Sequence, residues 1–328
     1  MSCTIRRRDL LKLGGQALVL GAAASVLPGC RARGERTLSR MRLGYLPITD
    51  HLTVIAAERT MFQHLRLEPT KFSSWPELAE ALKAGKVEAA FALTPIALAL
   101  RQKGAPLKLV LLGHRNGSVL TVAPDVAALN DLRGKSVAIP SRFSTHNLLL
   151  RRLLAREGLD ADKDLQVVEM PPPEMVQALA THRIAGFIVA EPFGAQAELK
   201  GIGKVLALSK DIWPGHICCA LVVREDVVAG DPAAVQELVD ALIASGQFAH
   251  EHPEEAAAAS RPYLGQAPAV VLHVLTQPPG RVTSDDLLPT LADLSATQDD
   301  MLRYRIAAER VELTSFLDDR YARSAYRK

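Results

Sequence analysis

The chain has 328 residues, 48% of them hydrophobic but only 5% aromatic, and 39 Lys plus Arg against 36 Asp plus Glu leave a formal charge of +3. That length accommodates two lobes of ordinary domain size, and a near-neutral balance with several arginines confined to the first 40 residues gives no electrostatic footprint for nucleic acid. Of the four cysteines, Cys3 and Cys30 fall in the N-terminal stretch and Cys218 and Cys219 are adjacent, which excludes a disulfide scaffold; C-x-x-C and H-E-x-x-H spacings are absent and no metal site is expected.

In chain order, Arg7-Arg8-Asp9-Leu10-Leu11-Lys12 reads as a twin-arginine export signal. The uncharged stretch from Leu13 to Gly29 is too short and too rich in glycine for a membrane span and fits a signal-peptide apolar region. It ends in Leu27-Pro28-Gly29-Cys30, similar to a bacterial lipobox, whose cysteine is acylated. The expectation is a lipoprotein-type signal over residues 1–30, an Arg-rich tether over 31–40, and a periplasmic body anchored to the membrane through lipidated Cys30.

The body then alternates strand and helix. Met41–Leu46 predicts a strand, Pro47–Asp50 a turn, and His51–Thr60 a helix. A second strand is expected over Leu67–Phe72, a helix from Pro76, and a strand over Ala89–Leu93. After Ala123-Pro124 the pattern restarts, with strands at Ser136–Ile139, Gln166–Val168 and Gly186–Ala190, helices at Ser144–Glu157 and Pro173–Ala180, and a strand at Ala220–Val223. From Pro232 onward the chain reads as helical. Helix-length segments between strands imply parallel pairing with helices on the sheet faces. This is an α/β fold of two lobes, each a mainly parallel sheet flanked by helices, with the ligand cleft between them. Crossings are expected near Leu120–Val122 and Leu221–Val223, so that residues 41–121 and 225–328 form lobe I and 122–224 form lobe II.

Ligands in such sheets sit beyond the carboxyl ends of the strands, so polar residues just after strands are the candidates. Asp50 and His51 follow the first strand, Asp50 as a cleft residue or a helix cap. Trp75 starts a helix where an indole can wall a cleft or cover the core. Ser141, Ser144, Thr145 and His146 occupy the turn before a helix, where hydroxyls and backbone N–H groups suit a polar group or serve as caps. Glu191 follows an apolar strand and either faces a cationic ligand or accepts backbone hydrogen bonds. Of the adjacent thiols, alternation along a strand aims one toward the cleft or leaves both as buried hydrophobes.

Several strings, Leu43–Asp50, Ser74–Leu78, Leu93-Thr94-Pro95, Asn116-Gly117, Ser144–Arg151, Pro171–Met175, Glu191-Pro192-Phe193 and Trp213–His216, occur together in an order that resembles the NMT1/THI5-like substrate-binding proteins of ABC importers, of the nitrate, bicarbonate, taurine and aliphatic-sulfonate type. The resemblance implies a type II periplasmic binding protein fold and capture of a small polar or anionic solute by lobe closure, for delivery to a permease driven by a separate ATPase. It implies no catalytic residue and no cofactor, and adds Thr94 and Asn116 to the candidate ligand contacts. In the nitrate and bicarbonate branch a tryptophan, a histidine, a glutamine and a lysine surround the anion. Here these positions fall on Trp75, on His146, near Ser118 and on Cys219, so the fixed cation is lost. Two other readings stay open. One is an enzyme using His146 or Glu191 on a pyrimidine-like compound; the other is a sensory module for such a ligand or for a cationic nitrogen compound. A G-x-x-x-x-G-K-[ST] loop is absent, so ATP hydrolysis is assigned to a partner.

Overall fold

The structure is a computed structural model and describes residues 38–328; the expected export signal, most of the expected tether and Cys30 lie outside the described residues. Twelve strands follow in chain order: β1 (Ser39–Tyr45), β2 (Leu65–Lys71), β3 (Ala89–Leu93), β4 (Leu107–Leu112), β5 (Arg115–Asn116), β6 (Ser118–Val122), β7 (Ser136–Ile139), β8 (Gln166–Glu169), β9 (Gly186–Ala190), β10 (Lys204–Leu208), β11 (Cys219–Arg224) and β12 (Val282–Thr283). They form two five-stranded sheets, ordered β2-β1-β3-β11-β4 and β10-β6-β9-β7-β8, and the pair β12-β5. In the first sheet β1 pairs parallel with β2 and β3, and only β11 runs against its neighbours. In the second, β7 pairs parallel with β8 and β9, and only β6 runs against its neighbours. Each sheet is therefore mainly parallel. The reversed strand in each is the one that brings the chain in from the other sheet.

The central strands carry apolar side chains on both faces because helices cover both. Ala89–Leu93 and Gly186–Ala190 are buried at every position, the continuous run expected of a parallel sheet enclosed on two sides. Phe91 and Phe187 are the bulky residues of these two strands and both are fully buried.

The crossings differ from the sequence reading. Ser118–Val122 lies wholly in the second sheet and Cys219–Arg224 wholly in the first, so the chain passes between sheets over residues 113–117 and 209–218. Apolar strand runs look alike whichever sheet they join, so the pattern could not place the boundary. The two passages run side by side: Arg115 bridges Ile217, and Asn116 N–H donates to the His216 carbonyl at 3.1 Å. The β5-β12 pair attaches residues 282–283 of the C-terminal segment to the same place.

The expected helix from His51 to Thr60 is instead a 3-10 stretch, Thr49–Ile55, broken at His51 (φ −109°, ψ 20°) and followed by a short α-helix, Ala56–Arg59. All of Thr49–Ile55 is buried. A segment enclosed on every side gains nothing from the solvent-facing stripe of an amphipathic helix, and the tighter winding satisfies its backbone locally. C-terminal helices Pro232–Glu251 and Arg320–Ala325 pack on the first sheet and its connections. Helix Leu291–Arg303 touches helices Thr94–Gln102 and Thr145–Arg156, one from each half. Arg152 forms an ion pair with Asp300 there, while its guanidinium lies over the Trp213 ring at 3.7 Å.

Candidate functional site

Three strand ends of the first sheet and one helix start of the second half meet at a buried polar cluster. After β1 the chain turns so that the Leu46 N–H donates to His51 Nδ1 at 2.9 Å. The His51 ring stacks on Phe91 at 5.0 Å and meets the edge of Trp75 at 5.8 Å. Burial, aided by the nearby His114 charge, pushes His51 down to about 3, so the ring is neutral at physiological pH. Nδ1 also lies 3.1 Å from the Leu46 carbonyl, and Nε2 has no hydrogen-bond partner among the described residues. Trp75 opens helix Trp75–Lys83, is 1% exposed, and its indole N–H likewise has no partner there.

Asp50 sits one residue earlier, fully buried, with Oδ2 2.9 Å from Nε2 of His114 at the end of β4. The two are close but misaligned. Nε2 also lies 3.4 Å from the Cys219 backbone nitrogen, and neither Asp50 oxygen makes an aligned hydrogen bond among the described residues. Burial raises Asp50 to about 7, against the lowering pull of His114. For His114 burial acts downward, but Asp50 and, after it, Cys218 together outweigh it and lift the ring to about 10.

Cys218 and Cys219 enter at the start of β11. The Cys218 carbonyl accepts from Thr94 N–H at 2.8 Å, Thr94 Oγ1 at 3.1 Å and Thr145 Oγ1 at 3.5 Å, a hold contributed by both halves. Its sulfur lies 3.8 Å from His146 Nε2 and 4.0 Å from Ser118 Oγ. Burial disfavours the Cys218 thiolate, yet the Cys219 thiol, His146 and His114 together pull Cys218 well below the ordinary thiol range. Burial and the Cys218 charge push Cys219 well above it. His216 donates through Nδ1 to the Trp213 carbonyl at 3.0 Å, leaving Nε2 as an acceptor without a partner among the described residues; burial lowers the ring to about 4.

Asp50, His51, Trp75, His146 and Cys219 are thus placed around one cluster, and the structure adds His114, Cys218 and His216 to it. The other candidates have structural partners. Ser144 caps helix Thr145–Arg156 by accepting from the Asn147 N–H at 3.1 Å, and Ser141 accepts from Phe143 N–H at 3.1 Å. Thr94 and Thr145 spend their hydroxyls on the Cys218 carbonyl. Asn116, at φ 60°, accepts from Gly215 N–H at 3.0 Å and faces Thr283, which makes it a fastener of the crossing. Glu191 has both oxygens engaged, Oε1 by Arg281 Nε at 2.7 Å and Oε2 by Ala195 N–H at 2.9 Å. Sequence reasoning missed His114 because it lies in a short connection after an unrecognised strand. Its nearest signal is the His114-Arg-Asn-Gly117 turn.

The four potential ligand atoms of Asp50, His114, Cys218 and Cys219 all lie within 4.8 Å of one another. Gly117, at φ +84°, keeps this space open: a Cβ there would come within 2.7 Å of Asp50 Oδ1 and 2.9 Å of His114 Nδ1.

Comparison with known proteins gives concordant matches. A model described as the NMT1-like family matches residues 34–263. The chain is 34% identical over 256 residues to the nitrate import ATP-binding protein NrtC of Synechocystis sp., covering 71% of this chain and 38% of that one. It is 28% identical over 273 residues to the nitrate/nitrite binding protein NrtA of Nostoc sp., covering 75% and 61%. The chain therefore spans less than two thirds of the length of these relatives. A solved ligand-binding component of an ABC-type import system from Staphylococcus aureus, described with zinc bound, superimposes with a TM-score of 0.81 at 28% identity, over 88% of this chain and 100% of that one.

Proposed function

This chain belongs to the NMT1-like family, and from that premise we propose that it is the exported solute-binding component of an ABC importer, which captures a small solute between its two halves and delivers it to a permease served by a separate ATPase. The observation that carries this reading is the cluster itself. Polar side chains from both halves, Asp50, His51, Trp75, His114, Cys218 and Cys219 from one and His146 from the other, are almost fully buried and several lack partners among the described residues. Enclosed, unsatisfied polar groups are costly unless something binds them. A solute taken up by closure of the halves about residues 113–117 and 209–218 would do so.

The nitrate-type relatives set the class of importer, but the buried charge here opposes their solute. Asp50 is a buried carboxylate, and Cys219 stands where the family's pattern has a lysine, a cation worth on the order of 1.5–3 kcal/mol to a desolvated anion. Periplasmic placement and attachment through Cys30 complete the proposal.

The test is a thermal-shift screen of the full chain against nitrate, bicarbonate, taurine, alkanesulfonates, guanidine, urea, pyrimidines and zinc, with small-angle scattering to follow closure. A solute at about 100 times its dissociation constant adds about 2.7 kcal/mol. A shift accompanied by compaction, both lost in Trp75→Ala and His146→Ala, supports capture. A folded protein that no solute stabilises or compacts overturns it.

A further inference from the structure

We propose that Asp50, His114, Cys218 and Cys219 form a binding site for a thiophilic divalent metal ion of the zinc type, and, resting on the capture reading above, that this ion is the solute the protein encloses. The donor atoms comprise one carboxylate oxygen, one imidazole nitrogen and two sulfurs, all buried and within 4.8 Å of one another. Zinc bonds of about 2.3 Å to sulfur and about 2.0–2.1 Å to nitrogen or oxygen place tetrahedral ligands roughly 3.3–3.8 Å apart. An inward adjustment of about 1 Å at the widest pair therefore reaches coordination distance. All four residues come from one sheet: Asp50 follows β1, His114 follows β4, and the cysteines begin β11, the neighbour of β4. A rigid scaffold thus holds the set before any ion arrives.

The contacts inside the cluster are those of ligands facing a common centre. Asp50 Oδ2 and His114 Nε2 approach to 2.9 Å without a ring N–H directed between them. Asp50 Oδ1 has no donor among the described residues although it is fully buried. Beside that carboxylate stand an imidazole and two thiols, all of them groups that ligate a metal ion, rather than lysine or arginine. Two sulfurs with one nitrogen and one oxygen suit zinc-like ions and disfavour magnesium and calcium, which take oxygen ligands. The same set repels an oxyanion. Gly117 clears the space beside Asp50 Oδ1, and His146, 3.8 Å from the Cys218 sulfur, is the second half's contribution to the site. Closure would bring that imidazole onto a metal-bound sulfur, linking occupancy to the closed form. Ligands separated by up to 169 positions carry no spacing motif, which is why the metal expectation from sequence was negative.

The experiment uses the full chain, stripped with a chelator under reducing conditions and titrated with cobalt(II) and then zinc(II). The expected result is one equivalent of cobalt giving the intense visible bands of a tetrahedral site and sulfur-to-cobalt charge transfer, displaced by zinc. Cys218→Ser, Cys219→Ser and Asp50→Asn should each weaken zinc by on the order of 100-fold or more. Zinc should also shield Cys218 and Cys219 of the unmodified chain from alkylation, a readout that does not depend on the variants folding. Absence of charge transfer and shielding overturns the metal site, and an oxyanion that stabilises and compacts the same protein would leave the capture reading standing. Bands that persist in the Cys218→Ser, Cys219→Ser double variant also overturn the assignment. One equivalent of tightly held zinc without compaction in scattering supports the site but overturns its role as captured solute.

Discussion

Replacing Arg281 by methionine isolates the forces that hold the second half to the crossing. The guanidinium is 2% exposed and pairs with the fully buried Glu191 carboxylate, while its Nη1 donates to the Gln277 carbonyl at 2.9 Å. Methionine keeps the apolar stem but strands a buried carboxylate, and breaking such a pair costs about 3–5 kcal/mol. At about 2–4 °C per kcal/mol the melting temperature should fall by roughly 6–20 °C. Burial already raises the Glu191 carboxyl above its ordinary value, with Arg281 opposing that shift; without Arg281 it rises further. A carboxyl whose folded pKa exceeds its unfolded one stabilises the fold when protonated and loses that contribution as pH rises from the unfolded pKa through the folded one. Urea unfolding of Arg281→Met against the unmodified chain should thus show a larger loss at about pH 8 than at about pH 5. The double variant Glu191→Gln, Arg281→Met should recover part of the loss, because the amide leaves no stranded charge. A loss that does not vary with pH, together with a double variant no better than Arg281→Met alone, would show that the pair does not carry the coupling and refute the reasoning.

Gly117→Ala forces a side chain into a left-handed backbone and against Asp50 and His114; it should cost about 1–3 kcal/mol in urea unfolding and abolish the ligand-induced thermal shift. Ser144→Ala removes a helix cap, so it should lower stability by about 1 kcal/mol while leaving the ligand-induced shift intact, which separates capping from binding at that turn. Trp75→Phe keeps most of the buried surface but deletes the indole N–H; ligand affinity measured by calorimetry should fall with little change in far-ultraviolet circular dichroism, whereas unchanged affinity would place Trp75 in the core alone.

The alternation of apolar strands with helix-length segments was enough to read an α/β chain with two mainly parallel sheets, because covered strands must be apolar on both faces and parallel ones need long connections. Gly186–Ala190 is an example: its five-residue apolar run is a strand buried at every position. Trp75 and His146 were legible as site candidates because they open helices just after strands, where ligands of such sheets gather. Strand placement was less accessible. Leu107–Leu112 and Lys204–Leu208 each pair with a reversed neighbour across a register shift, and a short apolar run does not announce its partner. Pairing decided the site. Local sequence determined that residue 218 is a cysteine at the start of a strand and residue 114 a histidine after one. Only insertion of β11 between β3 and β4 brought those side chains to Asp50 and made a cluster. Local propensity acts over a few residues, whereas the cluster depends on contacts between segments up to 169 positions apart, which exist only once the sheet has formed.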